Sequence, residues 1–110
     1  MSHHEHQACI EACFQCAQAC EHCAHECIAM TDMADCAKLC IDCADVCMSC
    51  LAFMSRGSRF MHEVCRLCAE ICEACGAECG LHHADHCREC ADACEHCANE
   101  CRQMSAAHAL

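Results

Sequence analysis

Four stretches of the chain repeat one small side chain inward at alternating steps of three and four residues. Ala together with charged and amide side chains fills most of the positions between. A strand would alternate every second residue, whereas a 3-4 spacing marks one face of a helix and, when sustained, a heptad seam. The repeating residue is Cys throughout. The first run is Cys9, Cys13, Cys16, Cys20, Cys23 and Cys27, and the second is Cys36, Cys40, Cys43, Cys47 and Cys50. The third is Cys65, Cys68, Cys72, Cys75 and Cys79, and the fourth is Cys87, Cys90, Cys94, Cys97 and Cys101. Each run therefore reads as a helix with thiols at both inward heptad positions.

The breaks between runs predict helices over about 3-29, 32-55, 59-79 and 84-105. Ser2 and Glu5 form a capping-box pattern ahead of the first. Thr31 and Asp32 offer N-caps for the second, and Ser58 for the third. Gly57 and Gly80 stand where helix C-termini favour a left-handed residue. Short connections make neighbouring helices antiparallel, so the expected fold is all-α: one up-down-up-down four-helix bundle over residues 1-110. The seam from Cys9 to Cys27 would extend ~27 Å at ~1.5 Å per residue. Its flanks are small on the outer helices (Ala12, Ala17, Ala19, Ala24, Ala91, Ala93, Ala98). They are larger on the inner two (Leu39, Val46, Phe53, Val64, Ile71, beside Ala69), where they can seal helix to helix or subunit to subunit.

Composition sharpens this picture. Of 110 residues, 56% are hydrophobic, but 21 of those are Cys, 20 Ala and seven Met. Ile, Leu, Val and Phe together number 14, far too few for an oily core. So low a share with a large net charge usually accompanies disorder. The absence of Pro, the three Gly and the abundance of Ala and Glu instead make a helix-forming inventory. A net charge of −11 excludes the basic surface that nucleic acid or an anionic membrane requires. No apolar run approaches the ~20 residues of a membrane span. Residues 1-6 carry no basic-then-apolar leader, so the expected location is the cytoplasm, where thiols stay reduced. That location, the odd cysteine count and the helical spacing all argue against a disulfide scaffold.

Twenty-one Cys in place of Leu would leave a poorly filled channel, and cavities are destabilising. A soft metal is the expected content, bound by all 21 seam cysteines. Thiolates select Cu(I), Zn(II) or iron–sulfur clusters. The eight Cys-x-x-Cys pairs lie within regular helices rather than the irregular loops that hold iron–sulfur clusters. Zinc in tetrahedral four-thiolate sites would leave −2 at each, with no Lys or Arg in the seam to offset it. One Cu(I) replacing one thiol proton leaves the core neutral at any loading, so several Cu(I) ions are expected, of the order of one per cysteine.

Extending each register one step past its outermost Cys reaches His6 and Met30, Met33 and Met54, Met61 and His82, and His83 and Met104. Each of the eight is Met or His, and Met suits Cu(I) far better than zinc. Antiparallel topology gathers His6, Met54, Met61 and Met104 at one end, near Phe53, Phe60 and His62. It gathers Met30, Met33, His82 and His83 at the other, beside His86. The first end is expected to be plugged and the second open to Cu(I). His22, His25 and His96 fall off the seam as surface residues, as do Glu11, Asp45, Glu73 and Asp92. His3 and His4 could form an adventitious metal site.

This arrangement resembles the bacterial copper storage proteins, a Cys-rich four-helix-bundle family, over about residues 8-104. The resemblance rests on Cys9-Ile-Glu-Ala-Cys13, Phe60-Met61, Ile71-Cys-Glu-Ala-Cys-Gly76, Cys79-Gly80 and the His-rich link into Cys87. The lack of a leader resembles the cytosolic branch. Arg59 departs from the Pro that many relatives carry before the Phe, a change in the turn alone. The resemblance implies storage of many Cu(I) ions, mostly between two Cys of one helix or of neighbouring helices. It implies His and Met ligands at one mouth, here His82, His83, Met30 and Met33, and assembly as a homotetramer. Donor or acceptor proteins for copper would be natural partners in metal homeostasis, guarding against copper toxicity. No catalytic constellation is visible, because the thiols share one repeated setting. Two other functions fit the residues: zinc or cadmium sequestration, and thiol redox chemistry.

Overall fold

The computed structural model describes the backbone of residues 3-109 and the side chains of residues 6-106. It consists of four helices: α1 (His3–Ile28), α2 (Ala34–Ser55), α3 (Met61–Cys79) and α4 (Asp85–Ala109). Each packs against its two neighbours around a ring, with α1 against α2 and α4, and α3 against α2 and α4. The result is a rod of 45 × 21 × 18 Å, the antiparallel four-helix bundle that the heptad spacing predicts. The seam cysteines are buried on every helix, together with Ala12, Ala17, Ala24, Ala37, Ala44, Ala69, Ala98 and Val46. Leu39, Phe53, Val64 and Ile71 pack half-buried against that core. Small flanks allow close backbone approach. A Cβ added at Gly76 would lie 3.2 Å from the Cβ of Cys94, so glycine sets the α3–α4 distance there.

The helix ends differ in detail from the expectation. Helix α2 starts at Ala34 with Met33 at its N-cap and no side-chain capping bond, so neither Thr31 nor Asp32 caps it. Asp32 instead takes a left-handed turn position (φ 63°), which Asp tolerates better than most residues. Helix α3 starts two residues later than expected, with Phe60 at its N-cap. Ser58 still serves this turn, its Oγ accepting the Phe60 N–H at 3.1 Å. Gly57 is left-handed (φ 63°), and two bonds, Gly57 N–H to Met54 O and Ser58 N–H to Phe53 O, complete a Schellman end. Gly80 is not left-handed: its φ of −65° continues the helical turn. Its N–H bonds Gly76 O at 2.9 Å, and 3₁₀-type bonds from Leu81 and His82 then end α3. The Ser2–Glu5 pattern and the His3 and His4 side chains lie outside the described residues. A bidentate pair from Arg102 to Glu73 (2.7 and 3.1 Å) ties α4 to α3 on the surface.

Candidate metal centre

The heptad spacing turns four thiol seams toward one axis, and the sulfurs meet there. All 21 cysteines are free and buried. Each has at least one other Sγ within 4.0 Å, and contacts run the length of the bundle. Cys9 meets Cys101 at 3.7 Å and Cys50 meets Cys65 at 3.5 Å near one end. The middle holds Cys16–Cys94 at 3.7 Å, Cys43–Cys72 at 3.6 Å and Cys20–Cys90 at 3.6 Å. The far end holds Cys36–Cys79 at 3.4 Å and Cys23–Cys27 at 3.8 Å. Metal–sulfur bonds of ~2.3 Å put trigonal or tetrahedral sulfurs ~3.8–4.0 Å apart, so this spacing needs little adjustment to receive ions. Four-thiol groupings are already assembled, such as Cys13–Cys50–Cys68–Cys101 and Cys20–Cys75–Cys90–Cys94.

Proton sharing organises the thiols. Neighbouring thiols donating to Cys16 (Cys20, Cys43, Cys47 and Cys72) push its pKa well below the ordinary thiol value. Cys101 is lowered in the same way by Cys13, Cys50, Cys65 and Cys68. Cys20, as partner of Cys16, is held up and keeps its proton. Toward the α1–α2 and α3–α4 turns, burial dominates instead. It raises Cys27 and Cys36 each to about 11, and pushes Cys87 upward. A metal entering there displaces protons.

The eight Met and His positions divide by whether they lie inside a helix. His6, Met54, Met61 and Met104 are within helices and close one end, exposed by only 6%, 1%, 8% and 6%. His6 Nε2 is buried without a hydrogen-bond partner among the described residues. His62 bonds the Met104 carbonyl at 2.8 Å, while Arg56 and Arg59 cover the rings of Phe53 and Phe60. At the other end Met33, at the α2 N-cap, is buried, but Met30 is 42% exposed in the turn after α1. His82 donates to Glu78 at 2.8 Å rather than facing the thiols, and His83 is exposed. The histidine that reaches the sulfurs is His86, with Nδ1 3.5 Å from both Cys23 and Cys87. Extrapolating the heptad pointed to His83 because it assumed a helix there, whereas α4 begins at Asp85. Adjacency to Cys87 was the available signal. His22, His25 and His96 are exposed, as are Glu11, Asp45, Glu73 and Asp92.

A helical bundle with a continuous buried file of free thiols is a soft-metal-binding protein in architecture and chemistry. Residues 2–106 match the family model described as copper storage protein, and the chain belongs to that family. The structure of apo copper storage protein 3 from Bacillus subtilis is 49% identical, with a TM-score of 0.87, covering 91% of this chain and 98% of that one. The Cu(I)-bound copper storage protein BsCsp3 is 47% identical with a TM-score of 0.88, over 92% and 98% of the two chains. A cytosolic copper storage protein from Streptomyces lividans, carrying five coppers, is 39% identical with a TM-score of 0.88, over 94% of each chain. No curated protein matches.

Proposed function

We propose that this chain stores and buffers Cu(I) in the cytoplasm, holding many ions between the thiolates of its core and so limiting copper toxicity. The observation that carries this reading is the file of 21 free, buried thiols with partners at 3.4–4.0 Å from end to end. Charge decides the cargo. A monovalent ion that replaces a proton leaves the interior neutral, whereas divalent ions in four-thiolate sites would accumulate buried negative charge. The solved relatives described as Cu(I)-bound and as loaded with five or ten coppers support the same cargo.

Cu(I) enters by the end formed by the α1–α2 and α3–α4 turns. The opposite end is sealed by His6, Met54, Met61 and Met104, while Met30 and His83 stand exposed at the entry end. All 21 cysteines act as ligands, and Met30, Met33, His82 and His83 serve the incoming ion. The protein works as a reservoir rather than a catalyst, filled and emptied by exchange with other copper-binding proteins. It assembles as a homotetramer, for which the apolar groove of Val46, Phe53, Val64, Leu67 and Ile71 between α2 and α3 offers a contact surface. Among the described residues no helix is long and apolar enough to cross a membrane.

Native mass spectrometry of the reduced protein, offered excess Cu(I) and Zn(II) together, tests the cargo. Many copper ions per chain with at most one zinc are expected. Several zinc ions per chain at the expense of copper would overturn the assignment.

A further inference from the structure

The end of the bundle that carries the α2–α3 turn closes with a layer whose chemistry differs from that of the thiols beneath it. His6 stands three residues before Cys9, Met104 three after Cys101, Met54 four after Cys50 and Met61 four before Cys65. Each is one helical turn beyond a seam thiol and on the same inward face, and all four are buried. The last thiols beneath them are paired, Cys9 with Cys101 at 3.7 Å and Cys50 with Cys65 at 3.5 Å. An ordinary bundle would fill such a layer with Leu or Ile. Thioethers alone could be gap-fillers. The imidazole could not, because its Nε2 has no hydrogen-bond partner among the described residues and a buried polar atom left unpaired costs stability.

We propose that His6 Nε2 and the thioethers of Met54, Met61 and Met104 are the outer ligands of a Cu(I) ion that ends the thiol file, an inference that rests on the copper-storage reading. An ion in the body of the bundle has thiols on both sides of it along the axis. One bound at the layer of Cys9, Cys50, Cys65 and Cys101 has thiols only on its inner side, and the imidazole and thioethers face it from the other. Both donor types suit Cu(I). Both are neutral, so an ion that displaces one thiol proton and completes its shell with them leaves the layer uncharged. A further thiolate there would add buried negative charge. Coordination through Nε2 leaves the ring proton on Nδ1. Arg56 over Phe53, Arg59 over Phe60 and the bond from His62 to the Met104 carbonyl close the layer on its outside, so the ion arrives along the file. Binding forms copper–nitrogen and copper–sulfur bonds and releases one thiol proton, with no change of oxidation state. The imidazole that destabilises the empty bundle thus gains its partner in the filled one.

Nuclear magnetic resonance of the reduced full-length protein, labelled with nitrogen-15 and with carbon-13 at the Met methyls, tests this before and after anaerobic loading with Cu(I). The His6 Nε2 signal, identified by its loss in His6→Leu, should move from the range of a free imine nitrogen to that of a metal-bound one. The methyls of Met54, Met61 and Met104 should shift, while that of Met48, exposed on α2, should stay in place. Against a competing Cu(I) chelator, His6→Leu should give up one ion at a chelator concentration at least about tenfold lower, the least that loss of even an outer-shell partner costs. The triple variant Met54→Leu, Met61→Leu and Met104→Leu keeps the layer filled and should release an ion early in the same way. Circular dichroism checks that both variants keep the bundle. An unshifted His6 Nε2 in the loaded protein, or release curves in either variant that match the parent's, would overturn the site. A protein that loads fully with His6 unshifted loses this site alone, whereas one that takes up no Cu(I) loses the storage reading as well.

Discussion

Cys36 Sγ lies 3.4 Å from Cys79 Sγ, joining the start of α2 to the end of α3 near the α1–α2 and α3–α4 turns. The pair belongs to no local motif, since 43 residues separate the two. Two antiparallel heptad seams bring them together, which is why a single spacing rule can build the whole interior.

Removing this pair tests whether each thiol counts toward capacity. Cys36→Ala with Cys79→Ala should lower the Cu(I) plateau by about two ions, with helical content unchanged by circular dichroism. A plateau equal to that of the parent protein would show that the two thiols are not ligands.

The seam itself was legible because a heptad is a property of the helix interior, where every turn repeats the same geometry. His6, Met54, Met61 and Met104 were legible for the same reason, as each extends a register that is still helical. Met30, His82 and His83 lie beyond the ends of their helices, where i, i+3 and i+4 no longer share a face. There the chain turns His82 onto Glu78 and leaves His86 to approach the sulfurs. Caps were the least legible feature. Asp32 and Gly80 carry the residue types of helix-end motifs, but the turn geometry gave them other conformations.

The sealed end contains a buried imbalance. His6 Nε2 has no partner among the described residues, and an unsatisfied buried polar group costs ~1–3 kcal/mol. Replacing His6 with Leu should raise the stability of the metal-free protein by up to that amount, read from the thermal or urea midpoint. A loss of stability would mean that the imidazole makes a compensating interaction.

The thiols near the α1–α2 turn give the metal-free bundle a pH dependence of known sign. Burial raises Cys27 and Cys36 from 9.0 to about 11, so the native state keeps protons that the unfolded chain gives up. Where the native state binds more protons, stability falls as pH rises. Their contribution is full below about pH 9 and is lost as pH climbs through about 11. Cys27→Ala with Cys36→Ala should therefore lose less stability than the parent protein across that window in chemical denaturation. Identical slopes would show that these thiols titrate alike in both states.

The central claim is that the bundle's interior is its binding site, filled by a monovalent ion that leaves it neutral. Anaerobic titration of the fully reduced protein with Cu(I), read against the remaining free thiols, tests that claim most directly. The account predicts uptake that continues to about one ion per cysteine as the free thiols disappear. A plateau near one ion per four thiols, the stoichiometry of four-thiolate zinc-type sites, would contradict it.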